Sequence, residues 1–157
     1  MVRGWLAMVL LCAWPMLADK YTGPRPPKPD LPYLIHADTL VPTETAEATQ
    51  VERKGDVTFV VPGANSTART PLGSPAFLIL TDQLQPDRLQ LYQLQSKGGQ
   101  REVLFAHRKK QVARPMRLRV TKVDDNLYKV EVDELLENGE YSLTPSGSNQ
   151  VFCFQVY

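Results

Sequence analysis

The sequence predicts an all-β chain: a single antiparallel β-sandwich behind an export signal and a proline-rich extended segment. Three observations carry this reading. From about residue 46 to the C-terminus, short runs rich in Val, Ile, Thr, Phe and Tyr recur with turn residues between them. Two of these spacings, around Gly98-Gly99 and around residues 124–126, bring complementary side chains opposite one another when folded as hairpins. Six of the thirteen prolines fall within residues 19–42, which sets that stretch apart from the strands that follow. At 157 residues the chain has room for one domain, and two cysteines exclude a disulfide-dense scaffold or a multi-cysteine zinc module.

The first element is an address. Met1-Val2-Arg3-Gly4 carries one positive charge, the ten residues Trp5 to Trp14 are all apolar, and Met16-Leu17-Ala18 leads into Asp19-Lys20. That order is a secretory signal peptide cleaved after Ala18, giving a secreted or periplasmic protein. The apolar run is well short of the roughly 20 residues a membrane span needs. Met16 fits the −3 position poorly, so a retained anchor is the alternative, and membrane contact is expected only in that case. Cys12 follows Leu11 rather than a small residue, which argues against lipidation. Cleavage leaves 17 basic against 17 acidic side chains and one cysteine, Cys153, which reads as a buried thiol in a core strand.

Next come Pro24, Pro26, Pro27, Pro29, Pro32 and Pro42. Proline fixes φ and lacks a donor, so residues 19–42 should be extended. They serve either as a spacer or as an edge lying along the domain, which is taken to span residues 43–157. Within it, Ala46 to Arg53 and Val57 to Val61 read as a hairpin turning at Lys54-Gly55-Asp56. Ala76-Phe-Leu-Ile-Leu80 is uniformly apolar and should be a central strand buried on both faces. A tight turn at Gly98-Gly99 would place Tyr92 opposite Phe105 and Leu94 opposite Val103. With a loop at Asp124-Asp125-Asn126, Leu118 meets Val132 and Val120 meets Val130 on the core face. On the outer face Arg119 meets Glu131 and Arg117 meets Asp133.

The segment Leu135-Leu136-Glu137-Asn138-Gly139-Glu140-Tyr141-Ser142-Leu143 resembles the tyrosine corner of immunoglobulin-like and fibronectin-type sandwiches. In those folds a turn precedes a Tyr whose hydroxyl bonds back to the backbone upstream. The resemblance covers nine residues, makes Gly139 and Tyr141 structural, and implies an Ig-like architecture without implying an activity. Leu143 stands where an antibody domain would have a cysteine. The tail is also similar to that of uncharacterised secreted bacterial proteins ending in a Gly-Glu-Tyr hairpin, and no activity follows from that. After Pro145 to Asn149, Val151 to Val156 forms a final strand burying Phe152, Phe154 and Val156.

Catalytic constellations are not evident in the sequence. Ser66, Ser74 and Ser146 lack nucleophile-elbow or Ser-x-x-Lys context. Cys153 sits between Phe152 and Phe154, an apolar setting that raises a thiol pKa instead of activating it. His36 and Asp38 have the spacing of one strand face, a start for a metal site that lacks further ligands nearby. His107 reads as a strand-end residue, and Asn65-Ser66-Thr67 fits a glycosylation sequon.

Charge is uneven along the chain. Lys97 to Lys122 holds nine basic residues and one acid, whereas Val123 to Tyr141 holds seven acids and one base. The two blocks should largely cancel as sheet neighbours. Arg108, Lys109, Lys110 and Arg114 stay unpaired in that scheme and are the candidate binding residues for an anionic surface. Nucleic acid is a poor partner, because no aromatic interleaves with the cluster and the chain is exported. The sequence therefore points to a non-catalytic binding or structural module in the envelope or extracellular space. Its partner would be an unidentified macromolecule, and it needs no cofactor. The alternative is a small metal-binding or redox protein using His36, Asp38 and Cys153.

Overall fold

Thirteen strands run from Tyr33 to Val156 in a computed structural model that describes residues 20–106 and 113–157. In chain order they begin with β1 (Tyr33–His36), β2 (Thr39–Pro42), β3 (Glu44–Glu47), β4 (Thr49–Arg53), β5 (Asp56–Pro62), β6 (Arg69–Thr70) and β7 (Ala76–Leu80). A short 3-10 turn at Pro86–Arg88 leads into β8 (Leu89–Lys97), β9 (Gln100–Ala106), β10 (Leu118–Asp124), β11 (Leu127–Val132), β12 (Gly139–Pro145) and β13 (Gln150–Val156).

The strands form two sheets, antiparallel except where β6 runs parallel to β13. The smaller sheet has five strands in the order β10-β11-β7-β1-β2. The larger has eight, ordered β3-β13-β12-β8-β9-β5-β4 with β6 beside β13. The chain is thus an all-β sandwich. Between the sheets lie Leu34, Phe77, Ile79 and Val130 from one side and Leu91, Tyr141, Leu143, Phe152 and Phe154 from the other. Phe77 meets Phe154 edge-on across the interface with centroids 5.1 Å apart, and Tyr141 stacks on Phe154.

Local sequence explains the hairpins. Lys54 and Gly55 both have positive φ (52° and 88°), as do Gly98 and Gly99 (60° and 79°), so each pair forms a two-residue turn whose twist matches its strands. The Gly98-Gly99 hairpin pairs Lys97 with Gln100 and Gln95 with Glu102, the expected register, and Tyr92 meets Phe105 at 4.7 Å between ring centroids. In β10–β11, Leu118 pairs with Val132 and Val120 with Val130, as the alternation requires. As expected, β7 lies in the middle of its sheet with Phe77, Leu78 and Ile79 all buried, so both of its faces are covered.

Several expectations need correction. The strand expected from Ala46 to Arg53 is broken at Ala48: β3 pairs with β13, and β4 pairs with β5. Ala48 instead donates its N–H to Asn149 O at 2.8 Å. The outer-face ion pairs are shifted relative to the backbone register. Arg119 reaches Asp133 at 3.0 Å, Arg117 reaches Glu134 at 3.4 Å, and Glu131 is taken by Lys129 at 2.7 Å. Sheet twist and long arginine stems favour these diagonal partners over the directly opposite ones. Residues 30–42 are not a spacer but part of the packed domain: Leu34 is fully buried, and β1 lies between β7 and β2. Asp30, at φ 58°, anchors the entry by accepting backbone N–H bonds from Asp82, Gln83 and Leu84. Burial pushes its carboxyl upward, but those three bonds outweigh it and hold the pKa below the usual value. Arg25 pairs with Asp124, the last residue of β10.

Candidate functional site

The ends of the larger sheet determine its shape. β3 and β4 lie at opposite ends of the strand order, yet only Ala48 separates them in the chain. The sheet must therefore roll until its ends meet, enclosing a second interior distinct from the sandwich core. Alternation decides what fills it. On β8, β12 and β13 the residues between those facing the sandwich core are Tyr92, Leu94, Ser142, Val151 and Cys153, all buried. β5 and β9 add Phe59, Val61, Val103 and Phe105 to this inner face.

Strand pairing orders this interior along its axis. Cys153 pairs with both Ser142 and Glu44, and Val151 pairs with Ala46. On β9 the inward residues run from Arg101 through Val103 to Phe105, and on β12 from Glu140 through Ser142 to Thr144. One end is therefore ionic, the middle apolar, and the other end aromatic.

At the ionic end Arg101 is fully buried. Its Nε donates to Gly63 O at 2.9 Å, and Nη2 donates to Pro62 O at 2.7 Å and to Glu44 Oε1 at 2.6 Å. Nη1 donates to Ser66 Oγ at 2.6 Å and lies 3.6 Å from Glu140 Oε2. Ser66 in turn donates both its N–H and its hydroxyl to Glu140 Oε2, and Thr67 N donates to Glu44 Oε2 at 2.7 Å. Glu140 Oε1 is buried with no hydrogen-bond partner among the described residues. This node closes one end of the interior and ties the loop after β5 to three strands. Sequence reasoning missed it, although the signal was there: Arg101 shares the alternation of Val103 and Phe105, so it had to face inward and find partners.

At the other end the interior opens as an apolar cup of about 300 Å3. Phe59, Tyr92 and Phe105 form its aromatic wall, with Phe59 and Phe105 edge-on at 5.1 Å. Leu94, Val61 and Val151 line it more deeply, and the turn from Pro145 to Asn149 forms part of the rim. No Asp, Glu, Lys, Arg or His side chain lines it among the described residues. Some of the polar atoms of its wall are paired: Tyr92 Oη donates to Gln90 Oε1 at 3.1 Å, and Ser142 and Thr144 hydroxyls lie 3.3 Å apart. Burial raises the Tyr92 pKa. Outside the rim, a polar depression lies between β3 and the same turn, bordered by Thr45, Glu47, Ser148, Asn149 and Gln150.

The sequence-predicted site residues are dispersed. Arg108, Lys109 and Lys110, with His107, lie outside the described residues. Arg114 is not unpaired: its guanidinium comes within 4.0 Å of Glu134, which Arg117 also contacts. His36 ends β1 and pairs with Thr39, whereas Asp38 lies in the turn beyond it. They share no group of three His, Cys, Asp or Glu able to hold a metal among the described residues, and Cys153 belongs to the other sheet. The Cys153 thiol is fully buried, and burial pushes its pKa up to about 12, so it is not a thiolate near neutral pH. Tyr141 Oη donates to Glu137 O at 2.7 Å, the local bond expected of a tyrosine corner. Gly139 opens β12 opposite Val156 as a strand residue. A Cβ there would meet nothing closer than 3.4 Å, so no backbone requirement singles it out.

No known protein family, curated protein or solved structure matches the chain. Among the described residues no helix is long and apolar enough to cross a membrane.

Proposed function

We propose that the chain is an exported, non-catalytic binding module with immunoglobulin-like connectivity, and that the apolar cup is its ligand site. The cup carries this reading. It is an open, aromatic-walled concavity at the mouth of a rolled sheet, the kind of place where small apolar ligands bind. Its volume lies at the lower end of the usual range for such sites. No nucleophile-base pair or carboxylate pair faces it among the described residues, so its chemistry is shape and apolar contact.

The strand order supports the immunoglobulin-like reading. One sheet contains β10-β11-β7-β1 and the other β13-β12-β8-β9, which matches the D-E-B-A and G-F-C-C′ orders, with Tyr141 near the start of the F equivalent. The β4–β5 hairpin is the addition that rolls the second sheet. Export rests on residues 1–18, and the mass of the exported chain tests it: cleavage after Ala18 leaves residues 19–157.

The binding test uses the exported protein with the environment-sensitive probe N-phenyl-1-naphthylamine. A saturable, one-to-one rise in fluorescence is expected, and Val103→Trp, which fills the cup, should weaken it at least about tenfold while leaving the far-UV spectrum unchanged. No saturable binding, or equal binding by a folded Val103→Trp variant, overturns the assignment.

A further inference from the structure

We infer that the cup takes the single hydrocarbon chain of an amphiphile whose head group is uncharged and rich in hydroxyls. This rests on the cup being a ligand site and specifies what it selects.

The interior favours a slender, wholly apolar segment. Phe59, Tyr92 and Phe105 pack edge-on around the mouth, and below them Val61, Leu94 and Val151 narrow onto Cys153. Beneath that level Arg101, Glu44 and Glu140 close the axis. A ligand can therefore enter from one end only, and it meets a dead end. Tyr92 is already bonded to Gln90 and Ser142 to Thr144, so a hydrocarbon chain leaves these wall contacts intact. A polar ligand entering the cup would find little to replace its own hydration. Water has few free partners there, and the apolar space gains by being filled with hydrocarbon.

The head group is read from the rim. The Gly147-Ser148-Asn149 turn borders both the cup and the polar depression, so a chain seated in the cup delivers its head onto that depression. The side chains there are hydroxyls and amides, from Thr45, Ser148, Asn149 and Gln150, which donate to and accept from hydroxyl groups. Glu47 is the one charged side chain bordering either space among the described residues. A carboxylate or phosphate head would approach Glu47 with no cation bordering the site among those residues, and like-charge repulsion disfavours it.

The experiment measures displacement of bound N-phenyl-1-naphthylamine from the exported protein at low salt, below the micelle concentration of each competitor. The competitors are 1-monododecanoylglycerol, dodecyl maltoside and sodium dodecanoate, which share one chain. Both neutral amphiphiles should compete about fivefold or more better than dodecanoate. If the glycerol ester alone does so, the natural head is small; if the maltoside competes equally, a glycan head fits. Glu47→Gln should improve dodecanoate competition about threefold and leave the glycerol ester unchanged, an effect that salt erases. Glu47 is exposed, so this variant should fold normally. Equal competition by all three in the native protein overturns the head-group inference and leaves the cup intact. Probe binding that none of them displaces overturns the amphiphile. Absence of probe binding overturns the ligand site itself.

Discussion

Replacing Arg101 with Met keeps most of the side-chain length while removing the cation from the buried node. The guanidinium is 1% exposed and holds Glu44, 19% exposed, and Glu140, 4% exposed, within 2.6 Å and 3.6 Å. Without it two carboxylates share a space that water scarcely enters, and the carbonyls of Pro62 and Gly63 lose their donors. Removing one partner of a buried ion pair costs about 3–5 kcal/mol, because the remaining charge stays desolvated. A loss near 4 kcal/mol would remove a large part of the roughly 5–15 kcal/mol that holds a typical domain together. The triple variant Arg101→Met, Glu44→Gln, Glu140→Gln removes the stranded charges as well, and its amides can donate to the freed carbonyls. It should recover at least about 2 kcal/mol relative to Arg101→Met alone. Urea unfolding followed by far-UV circular dichroism measures both, with an unchanged m-value certifying that the same transition is compared. Both tryptophans, Trp5 and Trp14, lie within residues 1–18, outside the described strands, so circular dichroism is the better reporter. A single-variant cost below about 1 kcal/mol, or strictly additive costs in the triple variant, would refute the buried node as a coupled unit.

Tyr141→Phe deletes the 2.7 Å bond to Glu137 O but keeps the stack on Phe154, so it should cost about 1 kcal/mol. For a chain of this size that lowers the melting temperature by about 3–5 °C, and an unchanged melting curve would remove the corner bond from the fold's stabilising contacts. Cys153 should be unreactive toward a disulfide reagent at pH 8 until the protein unfolds, when its thiol becomes accessible; rapid labelling of the native thiol would contradict its burial. In the unfolded chain this thiol ionises near 9.0 and in the folded state only near about 12, so the folded state retains the proton longer. Its contribution to stability should therefore fall as pH rises from about 9 to about 12, a decline that Cys153→Ala should lack. Changing Arg108, Lys109, Lys110 and Arg114 together to Gln should abolish salt-sensitive retention on anionic vesicles, whereas unchanged retention would discard the basic segment as a binding surface.

What the sequence made legible was local. Turn chemistry at Lys54-Gly55 and Gly98-Gly99, the alternation of Leu118 and Val120 against Val130 and Val132, and the apolar run at Phe77 each depend on a few neighbouring residues. The bond from Tyr141 Oη to Glu137 O was legible for the same reason, since donor and acceptor are four residues apart. The rolled sheet was not legible. It depends on Ala48 redirecting one extended segment from β13 to β5, and alanine carries no turn signal. The cup was therefore hidden as well, because its walls come from strands whose inward faces look like ordinary core residues until the roll is known. The proline count left two readings open for a physical reason. Proline favours extended backbone, and extended backbone serves a spacer and a strand equally well; the burial of Leu34 decides between them.

The same strands bound both interiors, and that constrains how the cup can work. On β12, Tyr141 and Leu143 face the sandwich core, while the residues between and beyond them, Ser142 and Thr144, face the rolled interior. On β13, Phe152 and Phe154 flank Cys153 in the same way. Widening the deep wall of the cup would pull these strands off the sandwich core, so its floor is held at fixed dimensions, and the proposed ligand would be selected by shape. Only the rim can adjust cheaply, since the turn at Gly147 and its flanking serines is exposed. A preformed site of this kind also couples occupancy to the whole fold. A ligand present at 100 times its dissociation constant would stabilise the domain by about 2.7 kcal/mol through mass action alone. Because the walls are shared, that gain should appear as a single upward shift of one cooperative unfolding transition. Separate transitions for the rolled sheet and the sandwich would mean that the two interiors are not coupled, and a cup free to deform could not select a chain by its width.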